Sequence, residues 1–226
     1  MASKRLTASD FQGSTIEVAK SLLGTTLVRR SGNALLKCIV VEVEAYLSSR
    51  DPASHSHRGM KTSNRSMFLP AGYLYVYPIH SRYCMNVVTE EADRGAAVLI
   101  RGAEPITGIS QMWKHRFPST PRRGGSIKQQ QALGQGPGRL SESLKVDRRL
   151  DGIDLSTDRR VWLESAAPQV VSRSWKWRKS RRIGISSAQT RQLRFFIDGH
   201  HLVSGLARDH SMGRTWKFFD GDPQGD

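Results

Sequence analysis

Apolar residues first recur at helical spacing after Ser14-Thr15-Ile16-Glu17, a capping-box sequence, with Ala19, Leu22 and Leu23 closing on Gly24. That pattern predicts a helix from Ser14 to Leu23. The period then changes to two. Thr26 to Arg29 and Leu35 to Ala45 read as the arms of a hairpin whose turn is Ser31-Gly32-Asn33. In the second arm Ile39, Val41 and Val43 share one face, while Cys38, Val40, Glu42 and Glu44 share the other. The two carboxylates are therefore neighbours, about 7 Å apart along the strand. Residues 48 to 70 are polar, contain Pro52, Gly59 and Pro70, and predict a long loop. Gly72 to Tyr77 predicts a strand that sets Tyr73, Tyr75 and Tyr77 on one face, followed by strands over Tyr83 to Val88 and Ala96 to Arg101.

Ile106 to Phe117 has helical spacing, carrying Ile109, Met112 and Trp113. From Arg116 to Gly138 the composition shifts to Pro, Arg, Gly and Gln, which predicts a mobile basic loop in which Ile127 to Ala132 is at most a marginal helix. Gly138 to Val146 predicts a short helix; Val161 to Leu163 and Leu193 to Ile197 predict strands. No period repeats. The expected fold is a single mixed α/β (α+β) domain with a curved, mostly antiparallel sheet core flanked by helices. The domain is expected over 13–210, with a flexible polar tail at 1–12 and a C-terminal tail at 211–226.

Charge changes this picture more than composition does. Lys and Arg total 35 against 20 acidic residues, a formal net charge of +15, which favours nucleic acid or an anionic membrane surface as partner. No apolar run approaches the ~20 residues that span a bilayer, and the polar first ten residues lack the apolar core of a secretory signal. An intracellular protein without a membrane partner is expected. Cys38 and Cys84, isolated within apolar strands, are expected to be reduced core thiols.

Against that basic background, a carboxylate at the end of an apolar strand is costly unless it is used or paired. Glu44 stands there, with Tyr46 two residues on and His55 in the loop beyond. His55-Ser56-His57 and His200-His201 have no carboxylate or thiolate at ligand spacing, so no metal is expected. Neither a phosphate-binding Gly-rich loop after a strand nor a Gly-x-Ser-x-Gly elbow occurs, and no cofactor is expected. Two features extend the DNA-binding footprint: Pro121-Arg122-Arg123, and the run from Ser174 to Arg182, where indoles alternate with Lys and Arg. The Gly-rich turn at Gly134-Gln135-Gly136-Pro137-Gly138, just before a helix, is suited to phosphate contact. Together, a carboxylate strand, a tyrosine strand and Arg101 at a strand end suit a pocket for a base flipped out of the duplex.

These residues resemble the alkyladenine (3-methyladenine) DNA glycosylases. Glu42-Val43-Glu44-Ala45-Tyr46-Leu47 and Asp51-Pro52-Ala53-Ser54-His55 match the family's blocks at the same separation, and further blocks follow in family order: Asn64 to Phe68, Gly72 to Tyr77, Cys84 to Val88, Val98 to Pro105, Gly136 to Leu140 and Arg182 to Ile185. The resemblance runs from about Leu22 to Leu206. It implies that Glu44 is the general base for the hydrolytic water and that Arg101 sits beside that water. It also implies that Tyr46, His55 and Tyr77 sandwich the base, and that Asn86 discriminates against the exocyclic amino group of guanine. Arg122, Arg123, Gly136, Gly138, Arg139 and Arg182 are the expected DNA-backbone contacts. The implied activity is hydrolytic release of alkylated or deaminated purines from duplex DNA by a monomer without metal or cofactor. A non-catalytic nucleic-acid-binding protein on the same fold is the alternative. One departure stands out: where the family carries a hairpin tyrosine that wedges into the minor groove, this chain has Pro78-Ile79-His80-Ser81-Arg82-Tyr83. Ile79 and His80 are the candidates to replace it.

Overall fold

The computed structural model describes residues 3–122, 124–166, 170, 173, 175–206, 209–210 and 215–217. Helix α1 (Ala8–Phe11) and helix α2 (Thr15–Leu22) precede the β1/β2 hairpin, Thr26–Ser31 and Ala34–Tyr46. Strands β3 (Leu74–Ile79), β4 (Arg82–Thr89) and β5 (Ala96–Thr107) follow, then helices α3 (Ile109–Arg116), α4 (Ile127–Gly134) and α5 (Pro137–Ser143). Strands β6 (Val161–Glu164), β7 (Lys176–Ser180), β8 (Arg194–Ile197) and β9 (Thr215–Lys217) complete the described elements. The sheet runs β3-β4-β5-β2-β8-β7-β9, with β1 beside β2 and β6, and every pairing is antiparallel.

Strand β2 is the spine because its apolar run is too long for one partner. Along one edge it pairs with β5; along the other it pairs first with β1 and then, from Glu42 to Glu44, with β8. From Ile39 to Ala45 every residue is buried, and each large aliphatic side chain so placed contributes about 1.5–3 kcal/mol. Helix α2 lays Val18, Ala19 and Leu22 on this sheet. Cys38 and Cys84 are buried and unpaired, and burial pushes both thiols above their ordinary value.

Several sequence expectations need correction. Residues 3–12 do not hang free: the Leu6 amide donates to the Leu163 carbonyl at 2.8 Å and Phe11 is fully buried. Strand β5 continues through Pro105 to Thr107, so α3 starts three residues later than helical spacing suggested. The expected loop at 116–138 contains α4, capped by Ser126 Oγ accepting from the Gln129 amide. The basic-aromatic run is strand β7, which buries Trp177 and Ser180 and pairs Arg178 with Asp198 at 2.6 Å. Its neighbour β9 lies within the expected C-terminal tail.

Candidate active site

The ladder between β2 and β5 breaks where the chemistry-bearing residues stand. Val40 faces Ala103, Glu42 faces Gly102 and Val43 faces Ile100, with register shifts on both sides of Glu42. Val41 on one strand and Arg101 on the other therefore fall outside the pairing, and irregularities of this kind re-aim side chains. Gly102 is required opposite Glu42: a Cβ there would lie 3.0 Å from the Leu202 carbonyl and 3.2 Å from Glu42 Oε2. Arg101 spans both acids, Nε lying 3.3 Å from Glu42 Oε1 and Nη1 3.2 Å from Glu44 Oε2. Burial alone would lower the arginine pKa, but Glu44 and Glu42 more than reverse this and raise it. Glu44 also accepts the Tyr46 hydroxyl at 2.9 Å on Oε2 and the Ile183 amide at 2.8 Å on Oε1.

Above this cluster lies a cavity of about 570 Å³ lined by Tyr46, His55, Tyr75, Tyr77, Asn86 and the 184–187 turn. A second cavity of about 330 Å³ adjoins it and shares Tyr46, Tyr77, Ile79, His80 and Gly184. Glu44 is itself fully buried, and its three donors, Arg101, Tyr46 and Ile183, all line that second cavity. The ring centroids of His55 and Tyr77 are 4.5 Å apart at 72°, and His55 Nδ1 lies 2.9 Å from the Tyr75 hydroxyl. Burial lowers the His55 pKa and raises those of Tyr46, Tyr75 and Tyr77, so these rings stay neutral at physiological pH. The loop bearing His55 is fixed by Asn64, whose Nδ2 donates to the His55 carbonyl at 2.8 Å. Asn86 is held by donation from Nδ2 to the Tyr75 carbonyl at 3.0 Å.

The remaining candidates divide. Ile79 pairs with Arg82, leaving His80-Ser81 as a two-residue turn between β3 and β4. His80 takes the left-handed φ of +51° that such a turn demands. Ile79 and His80 are exposed at this tip and line both cavities. Arg122 and Arg139 are exposed, Gly136 (φ +92°) precedes α5, and Gly136, Gly138 and Arg139 line a shallow groove. Arg123 lies outside the described residues. Arg182 is misassigned as a phosphate contact: its side chain is wholly buried, with Nη1 and Nη2 at 2.5 and 2.7 Å from Asp51, and its guanidinium stacks 4.6 Å from the Tyr46 ring centre. Sequence spacing gave no role to Asp51, Ile183, Arg194 or Ser204. Asp51 and Ile183 sit inside family-like blocks, which was the available signal.

A mixed α/β fold thus holds a buried, arginine-paired carboxylate beside an aromatic cavity in a strongly basic chain. The sequence pattern of the methylpurine-DNA glycosylase family matches residues 9–201. A protein of Rhodopirellula baltica, provisionally named a 3-methyladenine DNA glycosylase, is 45% identical over 197 residues, covering 87% of this chain and 82% of its own. The Mus musculus DNA-3-methyladenine glycosylase is 37% identical over 217 residues, 91% of this chain and 63% of its own. The chain belongs to the methylpurine-DNA glycosylase family. Its activity is that of a DNA-3-methyladenine glycosylase, a hydrolase of DNA repair with DNA as substrate. No helix among the described residues is long and apolar enough to cross a membrane.

Proposed function

We propose that this enzyme, acting as a monomer, flips alkylated or deaminated purines out of duplex DNA and hydrolyses the N-glycosidic bond with water activated by Glu44. The observation that carries this reading is that the three donors to the Glu44 carboxylate line a cavity that shares Tyr46, Tyr77, Ile79, His80 and Gly184 with the aromatic one. The extruded base enters between Tyr46 on one side and His55 and Tyr77 on the other. Cationic lesions such as 3-methyladenine and 7-methylguanine gain from electron-rich rings; neutral hypoxanthine and ethenoadenine rely on stacking and on the Asn86 amide. As the glycosidic bond breaks and the base leaves with its electron pair, positive charge grows on the sugar, which the Glu44 carboxylate stabilises. Water in the second cavity then adds to the anomeric carbon and passes its proton to Glu44, leaving an abasic site. One acceptor position on Oε1 is free for that water, because Ile183 is its single hydrogen-bond donor among the described residues. Arg101 fixes the carboxylate, while Ile79 and His80 fill the gap in the stack. Arg122, Arg139 and the Gly136–Gly138 turn hold phosphates.

The deciding measurement is base release from DNA methylated with dimethyl sulfate, scored with binding to a duplex carrying an abasic-site analogue. Glu44→Gln is expected to bind as the parent does and to release nothing above background. Substantial turnover by that variant would remove Glu44 from the base role.

A further inference from the structure

Glu42 shares a strand face with Glu44 and, among the described residues, accepts four hydrogen bonds to that residue's three. Arg194 Nε at 2.6 Å, Ser204 Oγ at 2.9 Å and Arg101 Nε at 3.3 Å all lie on its Oε1, and the Ser204 amide donates to Oε2 at 2.8 Å. Three of these four donors crowd Oε1, and the carboxylate, like that of Glu44, is fully buried. Arg194, likewise fully buried, is fixed in turn by Ser180 Oγ at 2.9 Å and the Ser204 carbonyl at 2.5 Å. The Ser204 hydroxyl does two jobs at once. It donates to Glu42 and accepts from Arg101 Nη2 at 3.2 Å. Its turn is pinned from the opposite side by Gln135, whose Nε2 donates to the Val203 carbonyl at 3.1 Å.

We propose that Glu42, Arg194 and Ser204 are positioning residues that dictate how Arg101 meets the catalytic carboxylate, an inference that rests on Glu44 being the base. A guanidinium is a rigid fork that favours taking both oxygens of one carboxylate. Here Arg101 reaches Glu44 through Nη1 alone, because Nε is held by Glu42 and Nη2 by Ser204. Released from those two partners, the fork closes on both oxygens of Glu44 and fills the acceptor position that the water needs. The assembly therefore keeps Arg101 near enough to orient Glu44 and prevents it from quenching the base. Ser204 lies beyond the 9–201 stretch that matches the family, so on this account a C-terminal turn completes a site otherwise built from the sheet.

The test compares Ser204→Ala, Glu42→Gln and Glu44→Gln in the full chain, each checked for a cooperative melt. Readouts are the single-turnover release of 3-methyladenine from methylated DNA and the affinity for an abasic-analogue duplex. Ser204→Ala removes one oxygen and keeps the amide that donates to Glu42. It is expected to lower the release rate about tenfold with affinity within about twofold, and Glu42→Gln to lower it about a hundredfold, the scale set by an ångström of misplacement. Should Glu42→Gln not fold, Ser204→Ala decides alone. A parental rate in Ser204→Ala, or a loss of rate matched by an equal loss of affinity, overturns the assignment. Release by Glu44→Gln would instead sink the underlying reading, whatever Ser204→Ala does.

Discussion

The buried pair of Asp51 and Arg182 allows a worked prediction. Both side chains have zero exposure, their contacts are 2.5 and 2.7 Å, and Arg182 also donates to the Ala45 carbonyl at 2.9 Å. Removing one partner of a buried pair strands the other charge, at about 3–5 kcal/mol. Asp51→Asn is the least disruptive perturbation, since it keeps the side-chain shape and its one oxygen still accepts from either Leu47, which donates to Oδ2, or Ala53, which donates to Oδ1. At about 2–4 °C per kcal/mol for a chain of this size, the melting temperature should fall by about 6–20 °C at neutral pH. The Asp51→Asn/Arg182→Met double variant leaves no orphan charge, so it should melt above the sum of the two single losses by about 1–3 kcal/mol of coupling.

The same pair sets an acid dependence. Burial would raise the Asp51 carboxyl, but Arg182 more than offsets this and holds it below the ordinary value of 3.8. A carboxyl with a lowered folded pKa stabilises the protein fully above its unfolded value and loses that contribution as pH falls through the folded one. The gap between parent and Asp51→Asn should therefore be constant above about pH 5 and narrow below about pH 4. Differential scanning calorimetry across that range is the assay. A neutral-pH difference under about 2 °C, or strictly additive single and double variants, would refute the reasoning.

Two further outcomes concern the pocket and its rim. Because Ile79 and His80 are exposed at the hairpin tip and border both cavities, the Ile79→Ala/His80→Ala double variant should cut base release about tenfold through a weaker flipped state; unchanged release and DNA affinity would clear the tip of any wedging role. The lowered His55 pKa keeps the imidazole neutral until pH falls below the usual histidine range, after which its charge repels a cationic base. The ratio of 7-methylguanine to hypoxanthine release should thus drop on acidification in the parent and stay flat in His55→Gln, and identical profiles would refute that account.

Hydrophobic period located the elements that carry the site, and it failed where partners decide conformation. The apolar run of β2 is long because the strand is buried on both faces, so the strand and its hairpin were readable, as were its carboxylate pair, Tyr46 and the tyrosines that lead into β3. Strand β7 was not. It lies between β8 and β9 near the edge of the sheet, and its run of Lys and Arg carries no alternation, although Trp177 and Ser180 are buried. Helix α4 was underrated because three glutamines carry no apolar stripe, although Leu133 packs into the core. Arg182 read as a phosphate ligand because its partner Asp51 is 131 residues away in sequence, and a guanidinium's burial is decided by exactly such distant groups. The departure at the hairpin was legible from sequence; the positive φ that His80 must adopt there was not.

Glu42 and Glu44 make the same point within one strand. They are two residues apart, equally buried and bridged by one arginine, so neither period nor burial distinguishes base from anchor. The distinction comes from what arrives from elsewhere in the chain. At Glu44 the incoming donors are the Tyr46 hydroxyl and the Ile183 amide, both on a cavity wall. At Glu42 they are Arg194 and Ser204, which close the carboxylate off. On the proposed reading, chemistry on this strand is set by the residues that reach it from 183 and 204, and the strand itself supplies only two equally buried carboxylates.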